Sequence, residues 1–146
     1  MKKLLCIIIM CSLLTACKDN SSIGVIGGAD GPTSIIITDK GEQAMYQQIS
    51  QEKAKGIMDS GIDYIVLDTR EQYEYDEGHI PNAILIPYTE IEAKAEELLP
   101  DKDKLILVYC RSGRRSKIAS QSLADLGYTN VKEFGGIIDW KYEIVK

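Results

Sequence analysis

Short, nearly continuous apolar runs recur along this chain of 146 residues, separated by polar stretches with helical spacing. The runs at Tyr64-Ile65-Val66-Leu67-Asp68, at 83–86 and at 105–109 are rich in β-branched residues and bounded by turn formers. Such a pattern predicts strands buried on both faces, with 105–109, the most apolar, at the centre of the sheet. Shorter strands are predicted at 45–49 and 130–134. Ser50 is placed to cap a helix over 50–60, with Glu52 favourable in its first turn and Gly61 at its end. Residues 72–77 predict one or two helical turns. Residues 89–99 predict a helix with Ile91, Ala95, Leu98 and Leu99 on one face, stopped by Pro100. Residues 116–126 predict an amphipathic helix closed by Gly127, and 137–142 a last helix. His79-Ile80-Pro81-Asn82 and Gly135-Gly136 read as turns. Strands alternating with helices imply right-handed crossovers and an α/β fold, a mostly parallel five-stranded sheet with helices on both faces. Ligands of such sheets sit beyond the carboxyl ends of the strands.

The amino-terminal stretch follows a different logic. Lys2 and Lys3 precede an apolar run over 4–14, followed by Thr15, Ala16 and Cys17. A positive start, a short apolar core and a small-residue exit predict a secretory signal over residues 1–16. The run is shorter than the roughly 20 residues a membrane-spanning helix needs. Leu14-Thr15-Ala16-Cys17 resembles the bacterial lipobox, in which cleavage precedes the cysteine and its thiol receives a diacylglycerol. That resemblance implies a lipoprotein attached through Cys17 to the extracytoplasmic face of the cell membrane. The expected organisation is a signal peptide at 1–16, a lipidated tether and extended arm at 17–44, and one α/β domain at 45–146.

Within the arm, two small β-branched runs at 23–26 and 33–38 flank the turn-rich segment 27–32. The string Gly27-Gly28-Ala29-Asp30-Gly31-Pro32-Thr33-Ser34-Ile35 resembles a motif of the β subunit of sodium-translocating decarboxylases. The likeness covers about ten residues and no polytopic membrane body accompanies it. The stretch is therefore read as an extended arm or docking strand, without sodium binding by Asp30.

Composition adds three constraints. Hydrophobic residues make up 45% and charged residues 27%, which excludes disordered, collagenous and multi-pass membrane chains. The 17 basic and 22 acidic residues give a net charge of −5 without a basic patch, which argues against a nucleic-acid partner. Loss of Lys2 and Lys3 with the signal makes the remainder more acidic still, so its surface would not adhere to an anionic membrane without the lipid. Of the four cysteines, Cys6 and Cys11 leave with the signal and Cys17 is lipidated. Cys110 is then the one free thiol, and an intramolecular disulfide is impossible.

Cys110-Arg111-Ser112-Gly113-Arg114-Arg115-Ser116 lies between the most apolar strand and the amphipathic helix. A loop there can turn several backbone N–H groups toward one point, and the helix terminus adds partial positive charge. With three arginines around the thiol, the expected result is a depressed pKa and a nucleophilic thiolate. The same donors would bind an anionic substrate, and Gly113 permits backbone conformations a side chain resists. A buried cysteine at a strand end, with arginines facing water, is the plainer alternative.

At this point the chain resembles the rhodanese-type sulfurtransferases. Val66-Leu67-Asp68-Thr69-Arg70-Glu71-Gln72-Tyr73-Glu74 is similar to one family segment. Glu77-Gly78-His79-Ile80-Pro81-Asn82-Ala83 is close to a second, with Asn82 where glycine is usual. The 110–116 loop matches the single-domain form, and Phe134-Gly135-Gly136-Ile137-Ile138-Asp139-Trp140 carries the double glycine and tryptophan. The resemblance implies that Cys110 takes the outer sulfur of a small anionic donor such as thiosulfate and holds it as a persulfide. A thiol or cyanide acceptor then removes it. It further implies that backbone N–H groups of 111–115 cradle the persulfide and that Arg111, Arg114 and Arg115 attract the donor. Ser112 and Ser116 could add hydroxyl donors. No metal or organic cofactor is implied. Asp68 and Arg70 are expected to form a supporting ion pair, His79 a turn-locking hydrogen bond, and Trp140 and Tyr142 packing contacts. Two other readings stand beside this one. The first is a tethered persulfide carrier or partner-binding module without efficient turnover. The second is phosphatase or arsenate reductase chemistry, whose Cys-x5-Arg loop would need arginine at position 116, where this chain has Ser116.

Overall fold

The computed structural model describes residues 45–146. The expected signal peptide 1–16, Cys17 and the 23–38 arm lie outside the described residues. Five strands alternate with four helices: β1 (Gln47–Gln48), α1 (Gln51–Asp59), β2 (Tyr64–Asp68), α2 (Gln72–Glu77), β3 (Ala83–Leu85), α3 (Ile91–Leu98), β4 (Leu105–Cys110), α4 (Arg114–Asp125) and β5 (Val131–Gly136). The strands form one sheet in the order β1-β5-β4-β2-β3, and every pairing is parallel. The α/β architecture expected from the alternation of runs is therefore present.

The central strand β4 is buried along its whole length, and its pleat divides the core in two. Ile106 and Val108 face α3 and α4, where they pack with Leu67, Ile91, Ala95, Leu99, Ala119 and Leu123. Leu105, Leu107 and Tyr109 face the other way, toward Ala54 of α1, Ile80 and Phe134. Successive side chains of a strand point to opposite faces, which explains the continuous apolar run. Each fully buried aliphatic side chain contributes roughly 2 kcal/mol before the entropy of ordering is charged against it.

Local chemistry sets the helix ends. Ser50 caps α1 by accepting the Lys53 N–H at 3.2 Å, as expected from the sequence. Gly61 follows with φ +79°, a left-handed conformation suited to glycine. Glu71 and Glu74 form a reciprocal capping box at the start of α2.

Four boundaries differ from expectation. Residues 88–90 form a separate 3₁₀ turn before α3, and Leu98 is exposed while Leu99 is buried. The expected apolar face thus holds at Ile91, Ala95 and Leu99, which share one side of a 3.6-residue period. Helix α4 starts at Arg114, two residues early, because Gly113 at φ +98° turns the chain directly from the strand into the helix. Gly135-Gly136 is the end of β5 and not a turn. Val108 pairs with Glu133 and Cys110 with Gly136, so β5 carries one extra residue, a bulge accommodated by Gly135 at φ +98°. The last helix is a single 3₁₀ turn, Ile137–Asp139.

Candidate active site

Cys110 is the last residue of β4 and is 1% exposed, at the floor of a three-residue loop that leads into α4. Strand and helix are separated only by Arg111, Ser112 and Gly113. The first turn of α4 has no side-chain cap, so its N–H groups have no partner within the helix. The Gly113 N–H donates to the Cys110 sulfur at 3.1 Å. Burial pushes the Cys110 thiol up. The Ser116 hydroxyl and the N–H groups of Ser116, Gly113 and Ser112 more than offset this and hold it below the usual thiol value. The depressed thiol expected from the sequence is present, with its source first in the Ser116 hydroxyl and then in the backbone N–H donors of the loop.

The loop rests on β5. A Cβ on Gly136 would sit 2.2 Å from the Arg111 carbonyl oxygen and 2.5 Å from the Ser112 Cα, so only glycine lets the two backbones approach this closely. The Ile138 N–H donates to the Arg111 carbonyl at 3.2 Å and fixes the outer side of the loop. Gln51 of α1 donates to the Gly136 carbonyl at 2.8 Å.

The three arginines occupy different positions. Arg111 and Arg114 are exposed. Arg115 is half-buried and clasped bidentately by Glu74 of α2, at 2.6 and 2.7 Å. The Arg115 guanidinium holds the Glu74 carboxyl below its usual range, and Glu74 in turn raises Arg115. The charge of Arg115, which also favours a Cys110 thiolate, is therefore shared with a carboxylate. Ser112 is exposed, whereas Ser116 is fully buried, its hydroxyl 2.7 Å from Glu133 Oε1 and 3.0 Å from the Gly113 carbonyl.

Asp68 and Arg70 form the expected ion pair, at 2.7 Å and almost fully buried. It belongs to a larger network. The Tyr109 hydroxyl donates to Asp68 at 2.6 Å and accepts the Ile80 N–H at 3.1 Å, while Arg70 reaches the Gly78 carbonyl at 2.8 Å. Burial and the Asp68 charge push the Tyr109 phenol far above its usual range, so it stays a neutral hydroxyl that donates to Asp68 and accepts from Ile80. Thr69 donates to the Tyr109 carbonyl from its backbone N–H at 3.0 Å and its hydroxyl at 2.9 Å, tying the ends of β2 and β4 beside Cys110. His79 lies 3.0 Å through Nδ1 from the Tyr75 carbonyl and stacks on the Tyr75 ring, which matches the expected structural role. Trp140 packs between Phe134 and Tyr142.

Glu74, Glu133, Tyr109 and the close approach at Gly136 were not singled out from the sequence. The capping-box spacing Glu71-x-x-Glu74 was a readable signal for Glu74, but nothing local distinguishes the buried Glu133 from a solvated acidic residue.

The chain is similar to known proteins in sequence and fold. The profile of the rhodanese-like domain family matches residues 33–143. The thiosulfate sulfurtransferase PspE of Escherichia coli is 37% identical over 73 residues, covering 50% of this chain and 70% of that protein. The thiosulfate sulfurtransferase GlpE of Coxiella burnetii is 35% identical over 98 residues, covering 66% of this chain and 89% of that protein. A solved Escherichia coli rhodanese with anions superposes with a TM-score of 0.54 at 35% identity, over 57% of this chain and 98% of that one.

Proposed function

This chain belongs to the rhodanese-like domain family, and from that premise we propose that it moves a sulfane sulfur from thiosulfate or a similar anion to a thiophilic acceptor through a persulfide on Cys110. The observation that carries this reading is the convergence of the Ser112, Gly113 and Ser116 N–H groups on the Cys110 sulfur. Thiolate and persulfide both present a compact anion to those donors, and fixed dipoles stabilise such charge without reorganising.

In the first step the Cys110 thiolate attacks the outer sulfur of thiosulfate. A Cys–S bond forms, the S–S bond of the donor breaks, and sulfite leaves with the bonding electrons. Cys110 then bears a persulfide anion. In the second step cyanide or a thiolate attacks the terminal sulfur and restores the Cys110 thiolate. Arg111 and Arg114, exposed beside the loop, would draw the dianionic donor toward it. Asp68, Arg70 and Tyr109 would hold the loop's footing without touching the sulfur.

The test is to incubate the protein with thiosulfate and cyanide, follow thiocyanate, and weigh the Cys110 peptide for one added sulfur atom. Thiocyanate formation with a persulfide intermediate is expected. A persulfide without thiocyanate would favour a carrier over an efficient enzyme. Neither product, with the protein folded, would remove the proposal.

Anchoring through a lipid on Cys17, after cleavage behind Ala16, is proposed on the lipobox-like Leu14-Thr15-Ala16-Cys17. Cys17→Ala should move the protein from the membrane fraction to the soluble fraction of bacteria. Retention of the variant in the membrane would contradict it.

A further inference from the structure

Helix α4 begins under unfavourable electrostatics. It opens Arg114-Arg115-Ser116-Lys117, with no acidic residue in its first turn and no side-chain cap. Positive side chains repel the partial positive charge of a helix amino terminus, so such a turn tends to fray. Yet this turn follows directly on Gly113, whose N–H donates to the Cys110 sulfur at 3.1 Å. Fraying there would turn the loop donors away from the thiol.

The missing negative charge comes from α2. The Glu74 carboxylate accepts both terminal nitrogens of Arg115, at 2.6 and 2.7 Å. The two side chains are 9% and 18% exposed, which separates them from a loose surface ion pair. Glu74 is itself held. Its Oε2 also accepts the Glu71 N–H at 3.1 Å, and the neighbouring Tyr75 hydroxyl donates to the Ala83 carbonyl of β3 at 2.7 Å. The tie therefore runs from the sheet, through α2, to the start of α4. The Arg115 fork that would grip an oxyanion is already taken. Arg111 and Arg114, by contrast, are exposed and form no ion pair among the described residues.

We propose that Glu74 is a positioning residue of the Cys110 site: acting through Arg115, it pins the first turn of α4 so that the loop N–H groups stay on the sulfur, and it withholds Arg115 from the donor. The inference rests on the proposed sulfur transfer, because it takes Cys110 as the reacting group. Besides Cys110, Arg70 and Glu71, which lead into α2, also act on the pair.

The test removes both partners together, Glu74→Met with Arg115→Met, in the intact protein. Net charge is unchanged, and replacing a buried ion pair by apolar side chains of similar size is often neutral for stability. The midpoint of the pH profile of Cys110 alkylation by iodoacetamide is expected to rise by about half a unit or more, as the thiolate loses aligned donors. The kcat for thiocyanate formation is expected to fall about tenfold through misalignment, with KM for thiosulfate within about twofold of the unaltered value. An unchanged midpoint and kcat in the folded variant would make the pair a fastening of the fold alone and overturn the proposal. A rise in KM of about tenfold would make Arg115 a donor-binding group and overturn it as well. A second arm separates position from charge and does not depend on the double variant folding. Arg115→Lys keeps the positive charge but lacks the planar fork. Its alkylation midpoint is expected to rise and its kcat to fall in the same direction. Values equal to those of the unaltered protein would mean that charge suffices, and the proposal fails. Alkylation needs no sulfur donor, so absence of sulfur transfer in the unaltered protein would sink the proposed function and leave the alkylation readout standing.

Discussion

Cys110→Ala is expected to lower thiocyanate formation by about a thousandfold or more, to the level of the uncatalysed reaction, as loss of a covalent nucleophile does. No other cysteine lies among the described residues, so no neighbouring thiol there can substitute. The fold should survive. Removing one sulfur atom from a tight site costs about 1 kcal/mol, and the backbone donors of the loop remain able to bind an anion. The variant should therefore unfold at a urea concentration close to that of the unaltered protein while forming no persulfide. The pH dependence follows from the direction of the thiol's shift. Its folded-state value lies below the ordinary one, so the thiolate is already populated at pH values where a free cysteine is mostly protonated. Sulfur transfer and alkylation should rise with pH and level off earlier than for a cysteine in a short peptide. An alkylation midpoint equal to that of the peptide, or full sulfur transfer by Cys110→Ala, would refute the assignment of Cys110.

Gly136→Ala is expected to be the most damaging single-methyl change in the domain. The added Cβ meets backbone on both sides, the Arg111 carbonyl oxygen at 2.2 Å and the Ser112 Cα at 2.5 Å. A side-chain end could swing away, but these atoms belong to the loop that aims N–H groups at Cys110. Relief requires the loop to lift or β5 to separate from β4 at the Cys110–Gly136 pair. Either response costs about 3 kcal/mol or more, at the upper end of overpacking effects, and misaligns the donors. The expected outcome is a lower urea midpoint together with a Cys110 alkylation midpoint shifted up toward that of free cysteine. Gly56→Ala is the matched control. It lies in α1 with nothing within 4 Å of a Cβ, so it should raise stability by about 1 kcal/mol through helix propensity and leave the thiol unchanged. Equal behaviour of the two variants would show that the close approach at Gly136 does not matter.

Much of this domain is legible along the chain, and the reasons are local. The continuous apolar stretch at 105–109 marks a strand buried on both faces whatever its neighbours are. Ser50 and Gly61 mark the ends of α1 because capping and left-handed turns depend on one or two residues. Cys110 followed by Ser112-Gly113 and a basic helix start announces an anion-stabilising loop. Where expectation failed, the deciding contact came from elsewhere in the sequence. Gly135-Gly136 looks like a turn until β4 lies beside it, whereupon pairing with Cys110 continues the strand and turns Gly135 into a bulge. Arg115 looks like a free positive charge until α2 presents Glu74. Glu133 looks like a solvated side chain until α4 covers it with Ser116.

Read along the chain alone, the residues already set the succession of strands and helices, the place of the Cys110 thiol at the end of the central strand, and the glycine that bends the loop beside it. Periodicity, capping and backbone conformational preference act over a few residues and need no partner. Which charges remain available at the site, and which donors reach the sulfur, came from packing in three dimensions. Those depend on groups far apart along the chain, Glu74 with Arg115 at a separation of 41 residues and Ser116 with Glu133 at 17, which meet because parallel strands bring their carboxyl ends to one edge of the sheet. Electrostatic and hydrogen-bond partners are set by distance in space, and distance in space is what a linear pattern does not contain.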